Sequence, residues 1–158
     1  MHLEGKHTFK TTREALWNLL NDPDVLARVT PGLKELHLQE TDQYQALFEI
    51  KMGPINSNFD GSLQVVDRVD LESYKLLISV DGKVGTVDAE GTIAVRVEDD
   101  RTIVSFAGDA KMTGVLARMG QRVISGVGRM FTKQFFKGLE QELASTSEEN
   151  TQLQEGDL

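Results

Sequence analysis

No cysteine occurs in the 158 residues, which removes disulfide frameworks, thiolate metal sites and cysteine nucleophiles together. Proline is down to three, and the aromatics make up 6% with a single Trp. Long apolar runs are missing too: the chain nowhere approaches the ~18 uncharged apolar residues that a spanning helix needs. Met1-His2-Leu3-Glu4 opens without a basic region and apolar stretch, so no secretory signal is visible and a cytoplasmic protein is expected. Positive charge is in short supply, with 17 Lys and Arg against 25 Asp and Glu and a net charge of −8. Four of those acids, and no base, fall in residues 145–158. Phosphate contacts need a basic footprint, so nucleic acid is not an expected partner.

What is present is 39% hydrophobic and 27% charged, the composition of a globular chain with one domain's length and enough apolar mass for one core. Residues 3–10 alternate, with Leu3, Gly5, His7 and Phe9 on one side, and read as a strand. Thr12 stands as an N-cap before a helical run over 13–21. Asp22-Pro23 opens a second short helix with Val25 and Leu26, and Thr30-Pro31-Gly32 ends it as a turn.

From Leu33 to Met112 the period is two. Leu36 and Leu38 lead, followed by Ala46, Phe48, Ile50 and Met52, then by Ile55, Ser57, Phe59, Gly61, Leu63 and Val65. Tyr74, Leu76, Ile78 and Val80 follow, and after an Asp81-Gly82 turn come Val87, Ala89, Gly91, Ile93, Val95 and Val97. Val104, Phe106, Gly108, Ala110 and Met112 close the series. Six runs with polar partner faces imply an antiparallel meander wet on one side. Gly61, Gly91 and Gly108 sit mid-strand on the apolar face. They mean either curvature alone or a sheet curled around something with internal room.

Residues 115–143 contain no proline and read as one helix of ~43 Å. On a 100° wheel Leu116, Met119, Val123, Val127, Met130, Phe131 and Phe135 form an apolar arc. Arg118, Arg122, Arg129, Lys133 and Lys137 form a basic stripe beside it, with Phe136 projecting from its middle. Gly120, Gly126, Gly128 and Gly138 lie within this helix at ~1 kcal/mol each relative to alanine. Close packing against the sheet is one reason for them, and a helix that flexes to admit a bulky apolar ligand is the other. Met52, Met112, Met119 and Met130 all point inward on this assignment and suit ordinary core or an adaptable wall. The basic stripe is either a solvated face with Glu140 and Glu142 as local partners, or a docking surface for anionic lipid or an acidic protein. Residues 1–143 are expected as one domain and 144–158 as an acidic polar tail.

Enzymatic constellations are scarce. His2, His7 and His37 show no ligand spacing, and only His7 points inward, as a satisfied core or edge histidine or as a polar handle in a pocket. Nearly all the acids lie on outward faces, so no metal or other cofactor is expected. No Gly-x-Ser-x-Gly elbow exists, and Ser57 reads as a space-filling residue near the Gly53-Pro54 bend. The glycines around 82–85 and 114–128 do not fit a phosphate loop between a strand and a helix.

The element order resembles the helix-grip, START-like superfamily, and within it the sequence is similar to the G-subunit family of carbon monoxide dehydrogenase. The similarity is carried by Asp22-Pro23-Asp24-Val25-Leu26 with Pro31-Gly32, by Ile50-Lys51-Met52-Gly53-Pro54-Ile55 with Phe59-Asp60-Gly61, and by Gly82-Lys83-Val84-Gly85. Gly108-Asp109-Ala110, the run from Gly114 to Arg122, and Phe135-Phe136 complete it. Val29-Thr30 departs from the Cys-Ile that often precedes Pro-Gly in the family. The resemblance implies an α+β helix-grip fold, in which a curved seven-stranded antiparallel sheet wraps the long C-terminal helix. It implies a non-enzymatic carrier of a hydrophobic small molecule, an isoprenoid quinone or lipid, serving a molybdenum-containing oxidoreductase. Longer members carry an apolar C-terminal extension, where this sequence has acidic residues, so at most a weak, peripheral membrane contact is expected.

On that frame an apolar pocket is expected between sheet and helix, lined by Trp17, Phe48, Ile50, Phe59, Ile78, Val104, Phe106, Met119, Val123 and Phe131. Arg118, Arg122, Arg129, Lys133, Phe136 and Lys137 are expected to face a partner. An assembly or recruitment factor docking through that basic face is the alternative function.

Overall fold

The computed structural model describes the backbone of residues 1–156 and the side chains of residues 1–145. Strand β1 (His2–Phe9) leads into helix α1 (Arg13–Leu20) and helix α2 (Pro23–Val29). Both helices start as the sequence predicts: the Thr12 side chain accepts from the Ala15 N–H, and that of Asp22 from Asp24, one residue after Pro23. Six strands follow: β2 (Leu33–Glu40), β3 (Gln43–Met52), β4 (Ile55–Val69), β5 (Ser73–Gly82), β6 (Gly85–Glu98) and β7 (Arg101–Met112). Every neighbouring pair is antiparallel, in the order β1-β7-β6-β5-β4-β3-β2. The β5–β6 connection is Lys83-Val84, two residues beyond the Asp81-Gly82 turn expected from the sequence.

The alternation fixes the faces as expected. Phe48 pairs with Phe59, Leu63 with Ile78, Ile78 with Ala89, Ile93 with Phe106 and Val104 with His7. A Cβ at Gly61 would lie 1.9 Å from the Ser79 carbonyl oxygen and 2.7 Å from Val80 Cα. Two backbones meet there more closely than any side chain allows, which is how the sheet coils.

The expected single helix is two. Helix α3 (Gly114–Arg118) ends before Gly120, whose φ of +90° breaks the helix, and helix α4 begins at Gln121 and runs to Gly156, through the stretch expected as a tail. The break resets the phase of everything downstream. Ile124, not Val123, is buried, while Val123 and Met130 are 39% and 44% exposed. Phe136, expected to project from the basic stripe, is 6% exposed. Leu139 is fully buried one turn further along.

Two apolar clusters result. One gathers Phe9, Leu16, Trp17, Tyr74, Phe136 and Leu139 where α1, α2 and α4 meet the sheet. The other gathers Ile55, Phe59, Leu116 and Ile124 at the α3 end. In the first, the Tyr74 hydroxyl donates to the Leu20 carbonyl at 3.0 Å, and its ring meets Trp17 edge-on at 5.8 Å. Burial pushes the Tyr74 phenol well above its usual range.

Candidate functional site

Between the two clusters the register lays one row of inner-face residues across the sheet. Tyr44 of β3 stands beside Leu63 of β4, followed by Ile78 of β5, Ala89 of β6 and Ala110 of β7. All five are half-buried although they point inward. Among the described residues, Leu63, Ile78, Ala89 and Ala110 belong to neither cluster, and neither does Phe131 of α4. Beside the row, Gly91 pairs with Gly108, and a Cβ at Gly91 would meet nothing nearer than 3.5 Å. With small side chains on β6 and β7, this row forms a half-covered apolar strip, the trough, on the inner face. At its β3 end the Tyr44 phenol is raised above its usual range by partial burial and by the nearby Asp42.

The ten residues expected to line a pocket divide around this trough. Phe48, Ile50, Phe59 and Met119 join the cluster on the α3 side. Trp17, Val104 and Phe106 join the cluster on the α1 side. Ile78 and Phe131 lie between, and Val123 faces away from the core, its phase shifted by the break at Gly120. Leu63, Ala89, Ala110 and Tyr44 complete the row and are not among the pocket residues expected from the sequence. The pairing register would find them, because alternation already assigns the first three inward. Two open concavities are present: one of about 400 Å³ lined by the polar-face residues Gln64, Ser79 and Glu90 and reaching Ile78 and Ala89 of the row, and one of about 670 Å³ around Lys10, Arg13 and Asp100.

Polar groups on the inner side are few and locally satisfied. His7 Nε2 lies 3.1 Å from Glu140 Oε1, and its ring stacks on Phe136 with centroids 5.2 Å apart. This is a satisfied edge histidine at the rim rather than a handle in the trough. Ser57 Oγ reaches only the neighbouring Asn58 carbonyl. Among the described residues no group of three or more His, Asp or Glu is placed to hold a metal.

The basic stripe survives the phase shift without Phe136. Arg118, Arg122, Arg129, Lys133 and Lys137 are all exposed, and among the described residues none enters an ion pair. The two acids expected to neutralise them are engaged elsewhere: Glu140 with His7, and Glu142 with both Nε and Nη2 of Arg28 on α2, at 2.8 and 3.0 Å. Exposed Val115, Val123 and Met130 lie on the same two helices. Among the described residues no helix is long and apolar enough to cross a membrane.

A seven-stranded antiparallel sheet gripping a C-terminal helix, with two short helices after the first strand, defines a START-like helix-grip protein. A START superfamily protein from Mycobacterium smegmatis superposes with a TM-score of 0.69 at 12% identity, over 92% of this chain and 98% of that one. Protein XoxI from Bacillus cereus does so with a TM-score of 0.63 at 16% identity, over 92% and 97%. A conserved protein from Geobacillus kaustophilus is more alike, with a TM-score of 0.89 and 31% identity over 92% and 97% of the two chains. Residues 5–144 match the model of the carbon monoxide dehydrogenase G-subunit (CoxG) family, and the chain belongs to that family. Among curated proteins there is no significant match.

Proposed function

We propose that this protein is a non-catalytic carrier that holds a hydrophobic small molecule, of the lipid or isoprenoid-quinone class, in the trough between its two core clusters. The observation that carries this reading is the row Leu63, Ile78, Ala89 and Ala110, inward-pointing yet only half-buried, with Phe131 of α4 likewise outside both clusters. An apolar inner face that the protein's own side chains leave half-covered is stabilised by an apolar guest. At ~25 cal/mol per Å² a guest hiding roughly 300 Å² of apolar surface gains ~7 kcal/mol before association costs, which limits binding to modest affinity. On this reading Tyr44, at the β3 end of the row, supplies a phenol to hydrogen-bond a carbonyl or hydroxyl on the guest. Family membership supports service to a carbon monoxide dehydrogenase or a related molybdenum hydroxylase.

The test is mass spectrometry of an organic extract from purified wild-type, Ile78→Glu and Phe131→Glu protein. A lipid or quinone near one per chain, lost in both folded variants, supports the carrier. Wild-type protein that is empty and ignores added quinones contradicts it.

A second reading, a docking or recruitment factor, is favoured by one observation. Five cations without an ion pair among the described residues share α3 and α4 with exposed Val115, Val123 and Met130, on an acidic protein. Each cation near an anionic surface contributes ~1 kcal/mol, giving weak and salt-sensitive attachment. Reversing Arg122, Arg129 and Lys133 to Glu should abolish sedimentation with anionic vesicles, or capture by an acidic oxidoreductase, while leaving guest affinity within a few fold. Sedimentation and capture unchanged by the reversal would rule this face out as the docking surface.

A further inference from the structure

We propose that residues 121–125, at the start of α4, form a hinged strap that opens the trough to its guest. The proposal rests on the carrier reading for what passes, and on two of the four glycines of this region for the motion. Two of these glycines are explained by packing: a Cβ at Gly128 would lie 2.9 Å from Leu3 Cδ2, and one at Gly138 would lie 2.9 Å from Val29 Cβ. The other two have no such cause. At Gly120 and Gly126 a Cβ would meet nothing within 4 Å.

Gly120 is required by its left-handed backbone, φ +90°, which ends α3 and uncouples it from α4. Gly126 stands inside α4 with room for a side chain, so its effect is to weaken the helix at that point. The two glycines bracket five residues. Within them Ile124 is 7% exposed and plugs the cluster of Ile55, Phe59 and Leu116, while Val123 is 39% exposed. From Ile124, Val127 and then Phe131 follow on the same side of α4 and lead to the trough.

What lies on either side of the strap is held fast. Helix α3 is fastened to the β5–β6 turn by Leu116 N–H donating to the Val84 carbonyl at 3.1 Å and Thr113 N–H donating to the Thr86 carbonyl at 3.1 Å. The Thr86 and Thr113 hydroxyls are 2.7 Å apart. The middle of α4 is anchored by buried Phe136 and Leu139, by Glu140 on His7 and by Glu142 on Arg28. Opening therefore concentrates at 121–125, where Ile124 lifts from its cluster while α3 and the rest of α4 stay in place.

The test compares wild-type protein with Gly126→Ala and Ile124→Ala by amide hydrogen exchange and by stopped-flow binding of 8-anilino-1-naphthalenesulfonate. Alanine at 126 fits the free space and stiffens the helix, so exchange of the Ile124 and Ser125 amides, the first of α4 to be bonded within the helix, should slow about fivefold. Probe association and dissociation should slow together by about the same factor, with Kd within twofold. Ile124→Ala should speed both. Unchanged exchange in folded Gly126→Ala protein overturns the strap, and slowed exchange with unchanged probe rates overturns its role as the way in. If wild-type protein binds no probe, it is the carrier reading that is undermined, and the strap is decided by exchange alone.

Discussion

The imidazole of His7 stacks on the ring of Phe136 at 20° between planes, and the same histidine reaches Glu140 on the next turn of α4. Phe136 also meets Phe9, Phe106 and Phe135 within 6.1 Å. This cluster pins the long helix to strand β1.

Replacing Phe136 by Ala should therefore cost about 3–5 kcal/mol of stability, as for other large buried aromatics. Glu140→Gln, at a pair whose side chains are 40% and 48% exposed, should change stability little. Urea unfolding of the two variants checks both expectations. A Phe136→Ala protein of wild-type stability would return this residue to the surface role that its sequence neighbours imply.

At Gly61 there is no space for a methyl group against the Ser79 carbonyl oxygen, and both elements are backbone. Gly61→Ala should destabilise by roughly 3 kcal/mol or prevent folding, since two paired strands must separate to admit it. Gly91→Ala, with nothing nearer than 3.5 Å, should fold, and it should weaken guest binding by narrowing the trough. Thermal unfolding and quinone titration of the pair separate the two effects.

The Glu142 carboxyl is held below its ordinary value of 4.5, first by the hydrogen bonds from Arg28 and then by that residue's charge. A carboxylate with a lowered folded pKa stabilises the fold above its unfolded value, and the contribution is lost as pH falls through the folded value. The tie between α2 and α4 should therefore weaken only below about pH 4.5. Glu142→Gln should lower stability at neutral pH and flatten the acid limb of a stability-against-pH curve. An acid limb identical to wild type would show that the tie does not contribute.

The sheet is readable from the sequence because a period of two survives any error in turn placement: Ile78, Phe59 and Val104 point inward wherever the hairpins begin. Helix starts are readable for a similar reason, since Thr12 and Asp22-Pro23 are local signals. The long helix is not, because a wheel carries its phase forward and one left-handed residue erases it. With Gly120 read as an interior glycine, the wheel brings Val123 and Met130 inward, passes over Ile124 and turns Phe136 outward. A glycine directly after Arg118-Met119 is a helix-terminating signal, and it is there to be used. The trough is harder still. It depends on Ala89 and Ala110 being small at two paired positions on different strands, which no single run reveals.

The most direct test of the carrier account is a methyl NMR titration with a short-chain ubiquinone. The account predicts saturable shifts at about one guest per chain for Leu63, Ile78, Ala89 and Ala110, with the exposed Val69 and Val97 unmoved. Shifts confined to the exposed Val115, Val123 and Met130, or no saturable shifts at all, would contradict a guest in the trough.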